Sequence, residues 1–151
     1  MSEPATVIAI YLAEVESGPV HAVDSVEAVA GAGLRGDRYF EPGAKPAEQL
    51  TLIESEELQA LAADAGIELA PGESRRQLTT RGVRLNPLVG RRFRVGEVEC
   101  LGIELCEPCS HLQKLTAREG LMRAFAHKAG LNAEILSGGE IAVGAVIEPL
   151  D

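Results

Sequence analysis

No stretch of the 151-residue sequence approaches the ~20 consecutive apolar residues of a membrane-spanning helix, so no helical span is expected. Met1 to Ala5 is short and polar, without the basic and apolar regions of a secretory leader, and the expected location is the cytoplasm. Cysteine is scarce. Three residues, Cys100, Cys106 and Cys109, are an odd number without framework spacing, which argues against a secreted disulfide scaffold. Basic residues are also short, with 14 Lys and Arg against 23 Asp and Glu, a formal charge of −9. That balance repels nucleic-acid phosphates and anionic lipid, so neither is an expected partner. Low-complexity segments, domain-sized repeats and linkers are absent, and residues 1–151 read as one domain, long enough to bury a core of its own.

What is present is mainly β. Thr6–Leu12 is β-rich, Gly18-Pro19 breaks it, and further strands are expected around Val20–Val23, Val26–Ala30, Leu50–Ile53 and Gln77–Val83. Val95-Gly96-Glu97-Val98 reads as the turn of a hairpin joining Arg92–Val95 to Val98–Glu104, and Val143-Gly144-Ala145-Val146 as the turn of a C-terminal hairpin. Two helices are expected. One carries Leu58, Leu61, Ala62 and Ala65 on one face, with Ser55 as its cap and Gly66 as its stop; the other spans Arg118–Ala129, with Leu121 and Phe125 buried and Gly130 ending it. Strands in hairpins with two inserted helices favour a β-rich barrel or sandwich over a doubly wound α/β fold.

Seven of the 14 basic residues are arginines between positions 75 and 94: Arg75, Arg76, Arg81, Arg84, Arg91, Arg92 and Arg94, with no acid among them. Arginine's planar fork suits phosphate and carboxylate, so an anionic small-molecule ligand is expected, against the alternative of outward arginines paired with acids from elsewhere. The second constellation is Cys106-Glu107-Pro108-Cys109 followed by Ser110-His111, where a β-run ends. Four readings stand: a redox pair, a zinc site drawing on Cys100, Cys106, Cys109 and His111, inert thiols, and one reactive cysteine acting as soft ligand or sulfur carrier. The last is preferred. Cys109 is then the most readily alkylated thiol, Cys100 the least because it lies within a strand, and Cys106 intermediate. His21 and His127 read as surface or structural residues.

The order of Gly33-Leu34-Arg35-Gly36-Asp37-Arg38-Tyr39-Phe40, Gln49-Leu50-Thr51-Leu52-Ile53-Glu54, Arg75-Arg76-Gln77-Leu78-Thr79-Thr80-Arg81-Gly82-Val83, Leu105-Cys106-Glu107-Pro108-Cys109 and Leu136-Ser137-Gly138-Gly139 with Val143-Gly144 resembles the molybdenum cofactor sulfurase C-terminal, or MOSC, domain family over nearly the whole chain. The resemblance implies a β-barrel-like domain that binds molybdenum cofactor (molybdopterin) or carries sulfur through one cysteine. In metal-binding relatives that cysteine ligates molybdenum from the second position of a Cys-x-x-Cys stretch, which is Cys109 here. Arg75 and Gln77 match an Arg-x-Asn element that holds the cofactor's phosphate, Gln77 standing where the family usually has Asn. Asp37, Arg38, Arg81 and Cys106 complete the expected cofactor-binding set. Sulfur-carrier members imply a pyridoxal-phosphate cysteine desulfurase as partner. Two alternatives remain: a small molybdenum-dependent reductase of N-hydroxylated compounds served by an electron-donor protein, and a non-catalytic anion-binding module.

Overall fold

The computed structural model describes residues 3–108 and 110–150, with Ser110 and His111 described by their backbone alone. The strands are β1 (Thr6–Ala13), β2 (Val20–Val23), β3 (Ser25–Val29), β4 (Gly33–Leu34), β5 (Leu50–Glu54), β6 (Leu78–Arg81), β7 (Arg92–Val95), β8 (Val98–Leu105), β9 (Leu131–Ile135), β10 (Gly139–Ala142) and β11 (Ile147–Pro149). The helices are α1 (Ser55–Ala65), α2 (Ser110–Thr116) and α3 (Leu121–Ala124). Strand alternation sets the inward face: Phe93 and Val95 on β7, Val98 and Cys100 on β8, and Leu131, Ala133 and Ile135 on β9 are buried, while their neighbours turn outward.

Eight strands form one sheet in the order β11-β7-β8-β9-β5-β6-β1-β2, and β10-β3-β4 form a second. The pairing is antiparallel except for β5 beside β6. The large sheet curls back on itself. Thr6 bridges Val146, the Val7 amide donates to the Ala145 carbonyl (2.9 Å), and the Ile147 amide donates to the Ala5 carbonyl (2.8 Å), so the β11 edge meets the start of β1. Closure of this kind removes an exposed edge and encloses an apolar core that includes Ile10, Leu34, Leu52, Leu78 and Phe93. A smaller cluster of Ile53, Leu61, Leu112, Leu121, Phe125 and Ala129 seats the helices against the sheet.

The expected strands are present, and so is the hairpin at Gly96, whose φ of 60° a two-residue turn requires. Three expectations are corrected. The Val143–Val146 turn does not close a hairpin: β10 pairs with β3 in the small sheet and β11 with β7 in the large one, so the turn carries the chain between sheets. The helix expected over Arg118–Ala129 is limited to α3, because Gly120 before it and His127 after it take positive φ. The preceding segment forms α2, giving three helices instead of two. Ser55 is the first residue of α1 and Glu54 holds the cap position without a side-chain cap bond, whereas Gly66 ends the helix at φ 68°, as expected. Among the described residues no helix is long and apolar enough to cross a membrane.

Glu54 is buried where β5 runs into α1. Burial raises its carboxyl above the ordinary 4.5, against the lowering effects of the Leu85 amide and Arg84. A raised folded value means that the group favours the fold below the unfolded value, near pH 4.5, and that this contribution is lost as pH climbs through the folded value. Glu54→Gln keeps an acceptor for the Leu85 amide and removes the buried charge. We expect Tm to rise by about 2–4 °C at pH 7.5, as for a gain of ~1 kcal/mol, with no gain at pH 4.5. Thermal melts at the two pH values check this, and an equal shift at both refutes it.

Candidate functional site

Segments distant in sequence meet at the outer face of β5 and β9. Leu50 and Leu52, like Leu131 and Ala133, take the core side, which leaves the directly paired Thr51 and Asn132 facing outward. Together with Glu16, Tyr39, Ala47, Glu48 and Cys106 they line a cleft of about 460 Å³, within the range of small-ligand sites. Cys106 arrives there as the chain leaves β8, its amide donating to the Gly130 carbonyl at 2.8 Å. Gly130 in turn lies against β5, an approach that only glycine allows. Its φ is 115°, and a Cβ would sit 2.1 Å from the Leu52 carbonyl oxygen.

Behind the cleft lies a buried polar network. The Asp37 carboxylate accepts from the Ala13 amide (3.0 Å) and Arg38 Nη1 (3.1 Å) on Oδ1, and from the Tyr39 amide (3.2 Å) and Gln77 Nε2 (2.8 Å) on Oδ2. Gln77 is equally committed. Its Oε1 accepts from the Thr51 amide (2.9 Å), its own amide donates to Thr51 Oγ1 (2.9 Å), and its carbonyl accepts from the Tyr11 amide (2.8 Å). Asp37 and Gln77 thus join β1, β5, β6 and the loop before β5, and they support the site from behind. Arg38 is paired with Asp37, its side chain 5% exposed, and stacks on the Tyr39 ring at 4.3 Å.

Arg75 is different. It sits at φ 65°, in the left-handed region, and its Nη1 donates to the Gly18 carbonyl at 2.7 Å. Its Nη2 is buried without a partner among the described residues. Burial, then the neighbouring Arg38 charge, lowers the guanidinium below its ordinary value, against the raising effects of Tyr39 and Asp37; this cation lies beside a second one, and among the described residues no carboxylate is in ion-pair contact with it. Arg38 Nη2 also donates to the Arg75 carbonyl at 3.3 Å, which brings the two arginines together.

The other expected residues divide. Arg81 lies at the far end of β6, exposed beside Glu3, Pro4 and Thr6, and does not join the cleft. The expected cradle of seven arginines is dispersed: Arg84, Arg91, Arg92 and Arg94 are exposed, and Arg84 and Arg92 face Glu54 and Glu99. Cys109, the expected metal ligand, lies outside the described residues. Cys100 is fully buried six positions along β8 from Cys106, roughly 20 Å of strand, and burial pushes its thiol up to about 12. It is a core residue, which removes it from any zinc site shared with Cys106. His127 grips the same loop, with Nδ1 and the amide both 2.6 Å from the Glu107 carboxylate. Arg76, Thr51 and Tyr39 are contributors that the reading of single residues missed, although all three fall inside the quoted motifs.

Comparison with known proteins agrees with this architecture. The YUAD protein from Bacillus subtilis superposes with a TM-score of 0.82 at 18% identity, covering 97% of this chain and 96% of that one. YiiM from Geobacillus stearothermophilus gives 0.75 at 17% identity over 98% and 76% of the two chains, and YiiM from Escherichia coli 0.70 at 20% over 100% and 70%. No curated protein matches the sequence. The MOSC domain model matches residues 37–148, from the carboxylate at the centre of the buried network to the last strand, and the chain belongs to the MOSC domain family.

Proposed function

We propose that this MOSC chain holds molybdenum cofactor in the cleft beside Cys106, with Arg75 as the contact for its anionic phosphate and Cys109 as the soft ligand. The buried Nη2 of Arg75, without a partner among the described residues, carries the reading, because a buried cationic donor without an acceptor costs free energy that an incoming anion would recover. The residues fit the group in kind: a cationic pair for a hard phosphate, and cysteine for a soft metal. When bound, the cofactor supplies a molybdenum centre. The chain's own residues hold and orient it: Arg38 packs the Tyr39 ring on the cleft wall, while Asp37 and Gln77 fix the backbone around both arginines.

If the protein passes sulfur on, the same cysteine would receive it from a pyridoxal-phosphate cysteine desulfurase. Its thiolate would attack the donor's sulfane sulfur, becoming a persulfide as the donor cysteine leaves as thiolate. Either role belongs in the cytoplasm.

The test is molybdenum content by mass spectrometry, on protein purified from a host that makes the cofactor, together with a cofactor titration. Arg75→Ala should weaken binding about 10- to 100-fold, the equivalent of ~1.5–3 kcal/mol for a charge-assisted contact. Arg91→Ala, on the exposed surface, should change it by less than about fivefold. Equal affinities for the two variants would refute the assignment, and absence of molybdenum from the wild type would leave the anion-binding module.

A further inference from the structure

Arg76 is 8% exposed, and each nitrogen of its guanidinium donates to a main-chain carbonyl. Nε reaches Ala129 (2.8 Å), Nη1 reaches Ser74 (3.2 Å), and Nη2 reaches both Cys106 (3.2 Å) and Glu107 (3.4 Å). Three chain segments therefore meet on one side chain, in the fork geometry that lysine cannot reproduce. Among the described residues no carboxylate pairs with it. Glu73, the nearest in sequence, pairs with Arg118, and Glu107, whose carbonyl Arg76 binds, turns its carboxylate to His127. A buried cation solvated only by carbonyls is expensive, and two of the four carbonyls it binds, at Cys106 and Glu107, belong to the loop whose first thiol lines the cleft.

We propose that Arg76 is the positioning residue of the cysteine loop: it fixes where the chain leaves β8 and, through its unmatched charge, favours the ionised thiol of Cys106 on the cleft wall. The inference rests on the reading that this loop does the chemistry, and it concerns thiol ionisation, which needs no cofactor. Other charged groups face the same cleft. Glu16 and Glu48 disfavour the thiolate, and the Tyr39 ring lines the same wall. Both carboxylates are solvent-exposed and screened, whereas Arg76 acts through protein, so the arginine prevails.

The experiment is alkylation of Cys106 by iodoacetamide from pH 6 to 10, followed by peptide mass, in the wild type, Arg76→Lys and Arg76→Gln. The expected midpoint in the folded wild type lies below that of the same protein unfolded in urea. Arg76→Gln should raise it by about one pH unit, or slow alkylation about tenfold at neutral pH. Arg76→Lys, which retains the charge, should stay closer to the wild type. A folded Arg76→Gln protein with the wild-type midpoint overturns the proposal. If Arg76→Gln does not fold, the wild type decides: a folded midpoint at or above the unfolded one overturns it, and a lower one supports it. A lowered midpoint in a protein that retains no molybdenum would sink the cofactor assignment and leave this inference standing.

Discussion

Replacing Asp37 with alanine is expected to destabilise the fold by about 3–5 kcal/mol, the usual consequence of removing one partner of a buried ion pair. Four donors lose their acceptor at once: the Ala13 and Tyr39 amides, Gln77 Nε2 and Arg38 Nη1. The Arg38 charge is then left buried beside Arg75. Asparagine should not rescue the loss. Each Asp37 oxygen accepts two N–H groups, so either orientation of an Asn amide points its own NH2 at two donors. Tm should therefore fall by roughly 6–20 °C in Asp37→Ala and by a comparable amount in Asp37→Asn, at ~2–4 °C per kcal/mol for a chain of this size. Denaturant titration and thermal melts measure both variants. A loss under about 1 kcal/mol in Asp37→Ala would mean that the network is not what joins β1, β5 and β6, and an Asn variant close to wild type would refute the four-donor account.

The β-rich, barrel-like class was legible because outward and inward residues alternate along β7, β8 and β9, and because Gly96 and Gly66 stand where a turn and a helix end need positive φ. The same local chemistry misled at Val143-Gly144-Ala145-Val146. A turn signal says that the chain changes direction, not which sheet receives the next strand. The spacing of Leu121 and Phe125 correctly marked buried positions while overstating the helix around them.

Arg75 and Arg76 show why the site itself was only partly readable. They are adjacent and of one type, yet Arg76 is saturated by backbone carbonyls while Arg75 keeps a buried nitrogen without a partner among the described residues. The carbonyls that decide this lie at Cys106, Glu107 and Ala129, and the neighbours of Asp37 at Ala13 and Gln77. No periodicity or spacing connects positions so far apart. The order of the motifs carried what local patterns could not, since it named Asp37, Arg75 and Gln77 together; it did not say that Gln77 would be committed to Asp37 and Thr51.

The three cysteines separate the proposed chemistry from packing. Cys109→Ser is expected to abolish molybdenum retention or persulfide formation, because a serine hydroxyl is neither soft nor ionised at neutral pH and cannot take the place of a thiolate. Cys106→Ser should weaken the same readouts less, about two- to fivefold: Cys106 lines the cleft, and the main-chain bonds to Gly130 and Arg76 that hold it there survive the substitution. Cys100→Ser should leave molybdenum per folded protein unchanged and lower stability instead, by about 1–3 kcal/mol, since it puts a hydroxyl into a fully buried apolar site. Metal analysis, sulfur transfer from a desulfurase persulfide and thermal melts on the three variants make the comparison. Alkylation of the reduced wild type below neutral pH adds an independent order: Cys109 first, Cys106 next, and Cys100 last, because burial holds its thiol near 12. Wild-type behaviour of Cys109→Ser in both metal and sulfur assays would remove the central residue of the proposal. An early reaction at Cys100 would contradict the packing of β8 against the core.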